Sequence, residues 1–275
     1  MGTDKSIVLT GAASGIGRHL AKTLSAKGHR VLATDVNEQG LSDLAALRGR
    51  GGGGDLLTTP LDVTHPDQWE SALDLAEKEF GVIDVVMNVA GYLKPGFVHE
   101  VDERSVHLHI DVNVKGVLFG TRAAARRMVA QGHGHIVNFG SLASLAAVPG
   151  LCLYSASKYA VRGFSLAAAA ELAPHNVAVT LVMPDAVQTP MLDLQVHYEE
   201  AAMTFSGDAP LTVEDIEAVI SNEVLPKQPM EITVPLGRGL LARVANTAPG
   251  AALLLAPRLT AKGKKAQEKA KKNDL

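Results

Sequence analysis

A tyrosine and a lysine four residues apart, Tyr154 and Lys158, stand at the start of a long alanine-rich run. On a helix, residues i and i+4 lie one above the other. An ammonium held beside a phenol favours the phenolate and lowers its pKa from about 10 toward the working pH. A phenol so placed exchanges a proton with an alcohol or a ketone. Tyr-x-x-x-Lys also occurs by chance on exposed helix faces, so the pair takes its meaning from the elements that position it.

The first of those elements is at the other end of the chain. Ser6-Ile7-Val8-Leu9-Thr10 reads as a buried strand and leads into Gly11-Ala12-Ala13-Ser14-Gly15-Ile16-Gly17. A helix follows to about Gly28, then a second strand from Arg30 to Asp35. This is a strand–glycine turn–helix–strand unit. Its glycines let main-chain N–H groups approach a pyrophosphate at the positive end of the helix. Asp35, ending the second strand, can accept hydrogen bonds from ribose hydroxyls and would repel a 2′-phosphate, which favours NAD over NADP. A competing reading makes Asp35 a turn or helix-capping residue before Val36 and Asn37.

The alternation continues. Helices are expected over 37–47, 66–80, 102–131 (broken near its start) and 154–172, with Pro66 in the first turn of the second. Further strands are expected over 56–61, 83–89, 135–139, 177–182 and 231–234, and 48–55, with four consecutive glycines, reads as a loop. Strands alternating with helices throughout predict one α/β domain whose parallel sheet is covered on both faces. Between Pro190 and Gln228 the strand pattern lapses into apolar helical segments, with Thr212 as a helix N-cap. This stretch reads either as a lid over a ligand, about 190–228, or as an extra packed helix pair. The end of the chain, 251–275, begins apolar at Leu253-Leu254-Leu255. It finishes with six lysines against Glu268 and Asp274. It reads as a frayed, solvated tail, or as a weak contact for an anionic membrane surface.

Composition bounds the function. The 275 residues are 47% hydrophobic and 20% charged, enough for a sizeable core. A net charge of −3 gives no reason to propose a nucleic-acid partner. No apolar run reaches the ~20 residues of a membrane span and no signal-peptide pattern starts the chain, so a cytoplasmic protein is expected. The single Cys152, flanked by Leu151 and Leu153, reads as a small buried side chain rather than a nucleophile. His107 and His109 fall on opposite sides of a helix and His133 and His135 flank Gly134, so no metal is expected.

Taken in order, these motifs resemble the short-chain dehydrogenase/reductase family over roughly residues 5 to 240. Thr10-Gly11-x-x-x-Gly15-x-Gly17 resembles its cofactor loop, and Asn88-Val89-Ala90-Gly91 its Asn-Asn-Ala-Gly element, with Val89 for the second asparagine. Asn113 matches its helix asparagine. Ser141 matches its catalytic serine, thirteen residues before Tyr154. The resemblance implies a Rossmann-type, doubly wound, mostly parallel seven-stranded sheet in a catalytic domain of about 1–250. It implies that Tyr154 is the general acid or base and that Lys158 lowers its pKa and binds the nicotinamide ribose. Ser141 would hydrogen-bond the substrate oxygen, and Asn113 would hold a relay water. Asp62 and Val63 would border the adenine, with Asn88, Ala90 and Gly91 along the cofactor. Pro184, Val187 and Thr189 would lie against the nicotinamide. The implied activity interconverts a secondary alcohol and its ketone with NAD, and the apolar lid points to a steroid-like or lipid-like substrate. A cofactor-binding scaffold without turnover is the alternative, and an epimerase or dehydratase a third. The family commonly forms homodimers and homotetramers through its long helices, and the run Ala167–Ala170 would permit close helix packing.

One departure stands out. Where the family usually has Pro-Gly after the sixth strand, this chain has Pro184-Asp185. Asp185 is expected either to adopt left-handed angles in place of glycine or to stabilise oxidised nicotinamide by its charge.

Overall fold

The computed structural model describes residues 4–46, 54–207 and 209–273. Most of the expected 48–55 loop, the last residue of the expected 37–47 helix and Asp274 lie outside the described residues. Buried aliphatic runs form β1 (Ser6–Thr10) and β2 (Arg30–Asp35), joined by α1 (Gly15–Ala26). Then follow α2 (Glu38–Ala45), β3 (Leu56–Pro60), α3 (Pro66–Phe80) and β4 (Val85–Asn88). The long helical region runs from α4 (Glu103–Ile110) through a π-helical turn at Asp111–Lys115 into α5 (Gly116–Gln131) with helical angles throughout, so the break expected near its start is instead a π turn in a continuous helix. After β5 (Gly134–Phe139) come α6 (Cys152–Leu172) and β6 (Val177–Pro184).

The seven strands pair in the order β3-β2-β1-β4-β5-β6-β7, every pair parallel, with β7 at Glu231–Val234. Chain order reverses between β1 and β4, and a crevice opens there at the carboxyl ends of the strands. Each face of the sheet carries a core. Leu20, Leu24 and Leu41 pack on one, and Trp69, Leu73, Ala123 and Met128 on the other. Within Ala167–Ala170, Ala168 and Ala169 are buried in the second core, while Ala167 and Ala170 face outward.

Two expectations about the last third need correcting. In the 190–228 stretch, α7 (Pro190–Val196) and the 3-10 segment Glu199–Ser206 lie over the crevice. The second half does not: α8 (Val213–Val219), the π turn after it and the short α9 (Leu225–Lys227) bury Ile216, Ile220 and Val224 in the first core, against α1. Thr212 caps α8 as expected, in a reciprocal box with Asp215. Nor are the described residues of 251–273 frayed. After β7 come α10 (Leu236–Thr247) and a 25-residue helix, α11 (Pro249–Asn273). Gly263 of α11 sits so close to the 3-10 segment that a Cβ there would lie 1.9 Å from Ala202 O. Gln267 Nε2 donates to Gln195 O (2.9 Å) and Tyr198 O (2.7 Å).

Candidate active site

A cavity of about 1100 Å³ runs along the carboxyl ends of the strands. At one end lies the glycine turn. Gly11 and Gly15 take φ of +71° and +50°, and a Cβ on Gly11 would meet the Ala90 backbone at 2.9 Å. A Cβ on Gly17 would lie 2.0 Å from Gly11 O, so only hydrogen fits there. Ser14, at the N-cap of α1, makes no side-chain cap, which leaves the first N–H groups of the helix to a ligand. Ser14, Ile16 and all three glycines line the cavity.

Asp35 lines it too. Its oxygens accept from Ala13 N and Asn37 N, each at 2.9 Å, and each oxygen keeps a second lone pair. The cap of α2 is Asn37, which accepts from Gly40 N, so Asp35 is not the helix cap; its bond from Asn37 N, two residues on, is the turn that the competing reading expected. Asp62 and Val63 follow along the same wall. Burial works to raise the Asp62 carboxyl, but the Thr64 N–H and hydroxyl and the neighbouring His65 outweigh it and hold it below the usual range. A glycine cradle, open helix N–H groups and a fixed carboxylate on one wall suit a dinucleotide.

Ala90 and Gly91 line the middle of the cavity, but Asn88 does not. Asn88 is 2% exposed and donates to Asn138 Oδ1 (2.7 Å) and Thr121 Oγ1 (3.4 Å) beneath the wall. Its place at the end of a strand buried on both faces turns the side chain into the protein. The residue that shapes the loop is Thr10, whose hydroxyl accepts the N–H groups of Val89 and Ala90, each at 3.1 Å. Its position at the end of β1, next to Gly11, was the available signal for that role.

Asn113 also stands behind the wall, fully buried in the π turn. Its Oδ1 accepts from Tyr92 N (2.6 Å), and its Nδ2 donates to Tyr92 O (2.8 Å) and Ser157 Oγ (3.0 Å). Ser157 in turn donates to Tyr154 O at 2.7 Å. Asn113 therefore ties the loop after β4 to the first turn of α6. Sequence reading missed Ser157 as the link.

Ser141, Tyr154 and Lys158 converge on the cavity. Ser141 follows β5 and accepts from Ala143 N (3.1 Å), which fixes its hydroxyl at the start of a 3-10 turn. Lys158 Nζ donates to Phe139 O (2.8 Å) and lies 5.5 Å from the Tyr154 ring centroid. Burial draws the Lys158 ammonium down to about 8. Burial also pushes the Tyr154 phenol up to about 12, against the opposing effect of its hydrogen bond with Ser141. Tyr154 keeps some accessible surface through the cavity, but the protein packed around it governs its ionisation. The expected lowering by Lys158 is thus reversed: both groups are desolvated, and the lysine's hydrogen bond goes to a carbonyl rather than to the phenol.

The loop after β6 closes the floor, with Pro184, Val187 and Thr189 lining the cavity. A Cβ on Gly15 would touch Thr189 Cγ2 at 3.2 Å, so this loop sits directly on the glycine turn. Asp185 does not take left-handed angles; among described non-glycine residues only Asn176 and Gln228 have positive φ. Its carboxylate pairs with the Arg238 guanidinium of α10, which weakens its expected effect on an oxidised nicotinamide. The far wall is apolar. It includes Leu142, Leu151, Met191 and Met203, and the helices α10 and α11 add Leu241, Val244, Leu253 and Leu255. Cys152 is not among the lining residues. Of the histidines singled out, His109 Nδ1 meets Ser105 O (2.7 Å) and His135 Nε2 meets Thr180 Oγ1 (2.8 Å), while His135 Nδ1 is buried without a hydrogen-bond partner.

The short chain dehydrogenase family model matches residues 5–199. The chain belongs to that family. A putative oxidoreductase SadH of Mycobacterium tuberculosis is 39% identical over 187 residues, covering 67% of each chain. Cyclopentanol dehydrogenase of Comamonas sp. is 35% identical over 205 residues, 74% of this chain and 81% of that one. Among solved structures, a short chain dehydrogenase/reductase from Burkholderia phymatum in complex with NAD matches with a TM-score of 0.80 and 26% identity, over 90% of this chain and 95% of that one.

Proposed function

We propose that this protein is an NAD-dependent oxidoreductase that interconverts a hydrophobic secondary alcohol and its ketone. The observation that carries the reading is the convergence of Ser141, Tyr154 and Lys158 in one cavity with the glycine cradle and Asp35. That cavity, about 1100 Å³, exceeds the ~300–1,000 Å³ of an ordinary single-ligand cleft and leaves room for two molecules. The relative named for cyclopentanol oxidation and the neighbour solved with NAD support the same chemistry.

The glycine turn and the N-terminus of α1 would hold the pyrophosphate, and Asp35 the adenosine ribose. Gly91, Lys158 and the Pro184–Thr189 loop would border the nicotinamide half. The nicotinamide, when bound, supplies or accepts the hydride. Tyr154 donates its phenolic proton to the carbonyl oxygen in reduction and takes it back from the hydroxyl in oxidation. Ser141 hydrogen-bonds the same oxygen and shares the charge that develops there. The Lys158 ammonium balances the phenolate left when Tyr154 gives up its proton, which a phenol near 12 requires. Apolar side chains make up most of the far wall, which favours an apolar substrate.

The test is turnover of a graded series of secondary alcohols, small to long and apolar, with NAD and with NADP, followed by nicotinamide absorbance. The reading predicts that kcat/KM rises with apolarity and is higher with NAD. No turnover with either cofactor in either direction would contradict it.

A further inference from the structure

Seven of the sixteen large apolar side chains exposed among the described residues stand on two consecutive helices. Leu236, Leu240, Leu241 and Val244 stand out from α10, and Leu253, Leu254 and Leu255 from the first turns of α11. Leu254 is 80% exposed and Leu236 75%. Leu236, Leu240 and Val244 follow each other at i,i+4 and so share one face of α10. Four of the seven, Leu241, Val244, Leu253 and Leu255, also line the cavity, so this patch is part of the cavity's mouth.

The patch runs into positive charge. From Leu254 the same stripe of α11 continues through Arg258, Lys262, Lys265 and Lys269, all exposed. Between 262 and 272 there are six lysines and one acid, Glu268. The opposite face is clamped to the body of the protein by Gly263 and by the Gln267 hydrogen bonds to Gln195 O and Tyr198 O. The basic stripe is therefore held outward, next to the apolar mouth, on an amphipathic helix. None of the described helices is long and apolar enough to cross a membrane.

We propose that the face made by α10 and α11 docks on an anionic phospholipid surface, with the cavity mouth turned toward the lipid. Leucines flanked by basic residues match an interface that offers apolar depth and negative headgroups together. A second copy of this chain fits less well. A two-fold interface sets a patch against itself and would bring the two basic stripes near each other. That a lipid-dissolved substrate enters through this mouth rests on the oxidoreductase reading. The docking does not, and it is measured without turnover, so the failure of one is distinguishable from the failure of the other.

The experiment is flotation of the full chain with vesicles of phosphatidylcholine alone and of phosphatidylcholine with phosphatidylserine. The proposal predicts partition to the phosphatidylserine vesicles, weakened by added salt. Lys265→Glu with Lys269→Glu should lower the partition coefficient by about tenfold or more. Leu240→Asp with Leu254→Asp should lower it on both vesicle types. None of these four side chains lines the cavity, so both variants should keep the turnover of a water-soluble alcohol and the circular dichroism of the parent. A parent protein that ignores anionic vesicles overturns the proposal. So does a Leu240→Asp/Leu254→Asp variant that still floats but has lost a dimer seen by sedimentation equilibrium, because the face is then an interface between copies.

Discussion

Along the wall built by β1, β2 and β4, the cavity is lined by the glycine turn, by the carboxylates of Asp35 and Asp62, and by the aliphatic residues between them. The N–H of Ala13 on Asp35, the Thr10 hydroxyl under Val89 and Ala90, and the glycines pressed on Ala90 and on each other fix them there. Along the wall built by α7, α10 and α11, the lining is mostly apolar side chains, held by helices that pack on one another. The first wall tolerates little change of shape, because hydrogen bonds and backbone contacts determine it. The second can change its lining without disturbing the first. A fold built this way keeps one cofactor while its substrate varies.

The largest expected effect comes from breaking the rigid wall. Gly17→Ala places a methyl 2.0 Å from Gly11 O, where the obstacle is backbone and cannot rotate aside. Thermal and denaturant unfolding should show a loss of about 3 kcal/mol, the upper range for overpacking. Calorimetry should show NAD affinity lost with it.

His135 sharpens the comparison from below, since it is the second residue of β5, at the end of the sheet away from the cavity. Burial draws its imidazole from 6.5 down to about 4, so it is neutral in the fold where the unfolded chain binds a proton. The unfolded state therefore holds more protons as pH falls from 6.5 toward 4, and stability drops over that window by about 3 kcal/mol. His135→Gln should flatten this part of the pH–stability curve, read by urea unfolding, without altering the affinity for NAD.

A smaller effect probes specificity within the rigid wall. Asp35→Ala should move the ratio of kcat/KM for NADP over NAD upward by about tenfold, the size of a close charge interaction partly screened by solvent. An unchanged ratio would mean that another group discriminates. Smallest is Gln267→Ala, which loosens the other wall alone. Freeing the carbonyls of Gln195 and Tyr198 costs about 1 kcal/mol. The KM for an apolar alcohol should rise while the Kd for NAD stays as it was.

The same division governs how far the sequence could be read. The glycine turn, Asp35 and the Tyr154–Lys158 pair were legible because strand, turn and helix signals are local and each fixes its own geometry. Asn88 was legible as a residue and not as a position, and Asn113 was legible without its partners. Whether a side chain at a strand end or in a π turn faces the cavity depends on what packs behind it, here Tyr92 and Ser157 for Asn113, Thr121 and Asn138 for Asn88. The ionisation of Tyr154 was misread for a related reason: proximity to an ammonium shows in the spacing, but burial of both groups does not. The packing of α11 was hidden more completely. Its inward stripe is Ala256, Leu259, Gly263 and Gln267, mostly small or polar, so little hydrophobic periodicity marks the helix, and Pro257 breaks the pattern further. The half of 190–228 that joins the core shows aliphatic residues at helical spacing, and nothing in that spacing tells a lid from a helix packed on α1.

Tyr154 is where the two walls meet, and Tyr154→Phe is the direct test of the central claim. The substitution keeps the ring and removes the proton. The account predicts that the Kd for NAD stays at the parent value while kcat for a secondary alcohol falls by about 10²–10⁴-fold. Turnover close to that of the parent, with NAD binding intact, would contradict it and take Tyr154 out of the chemistry.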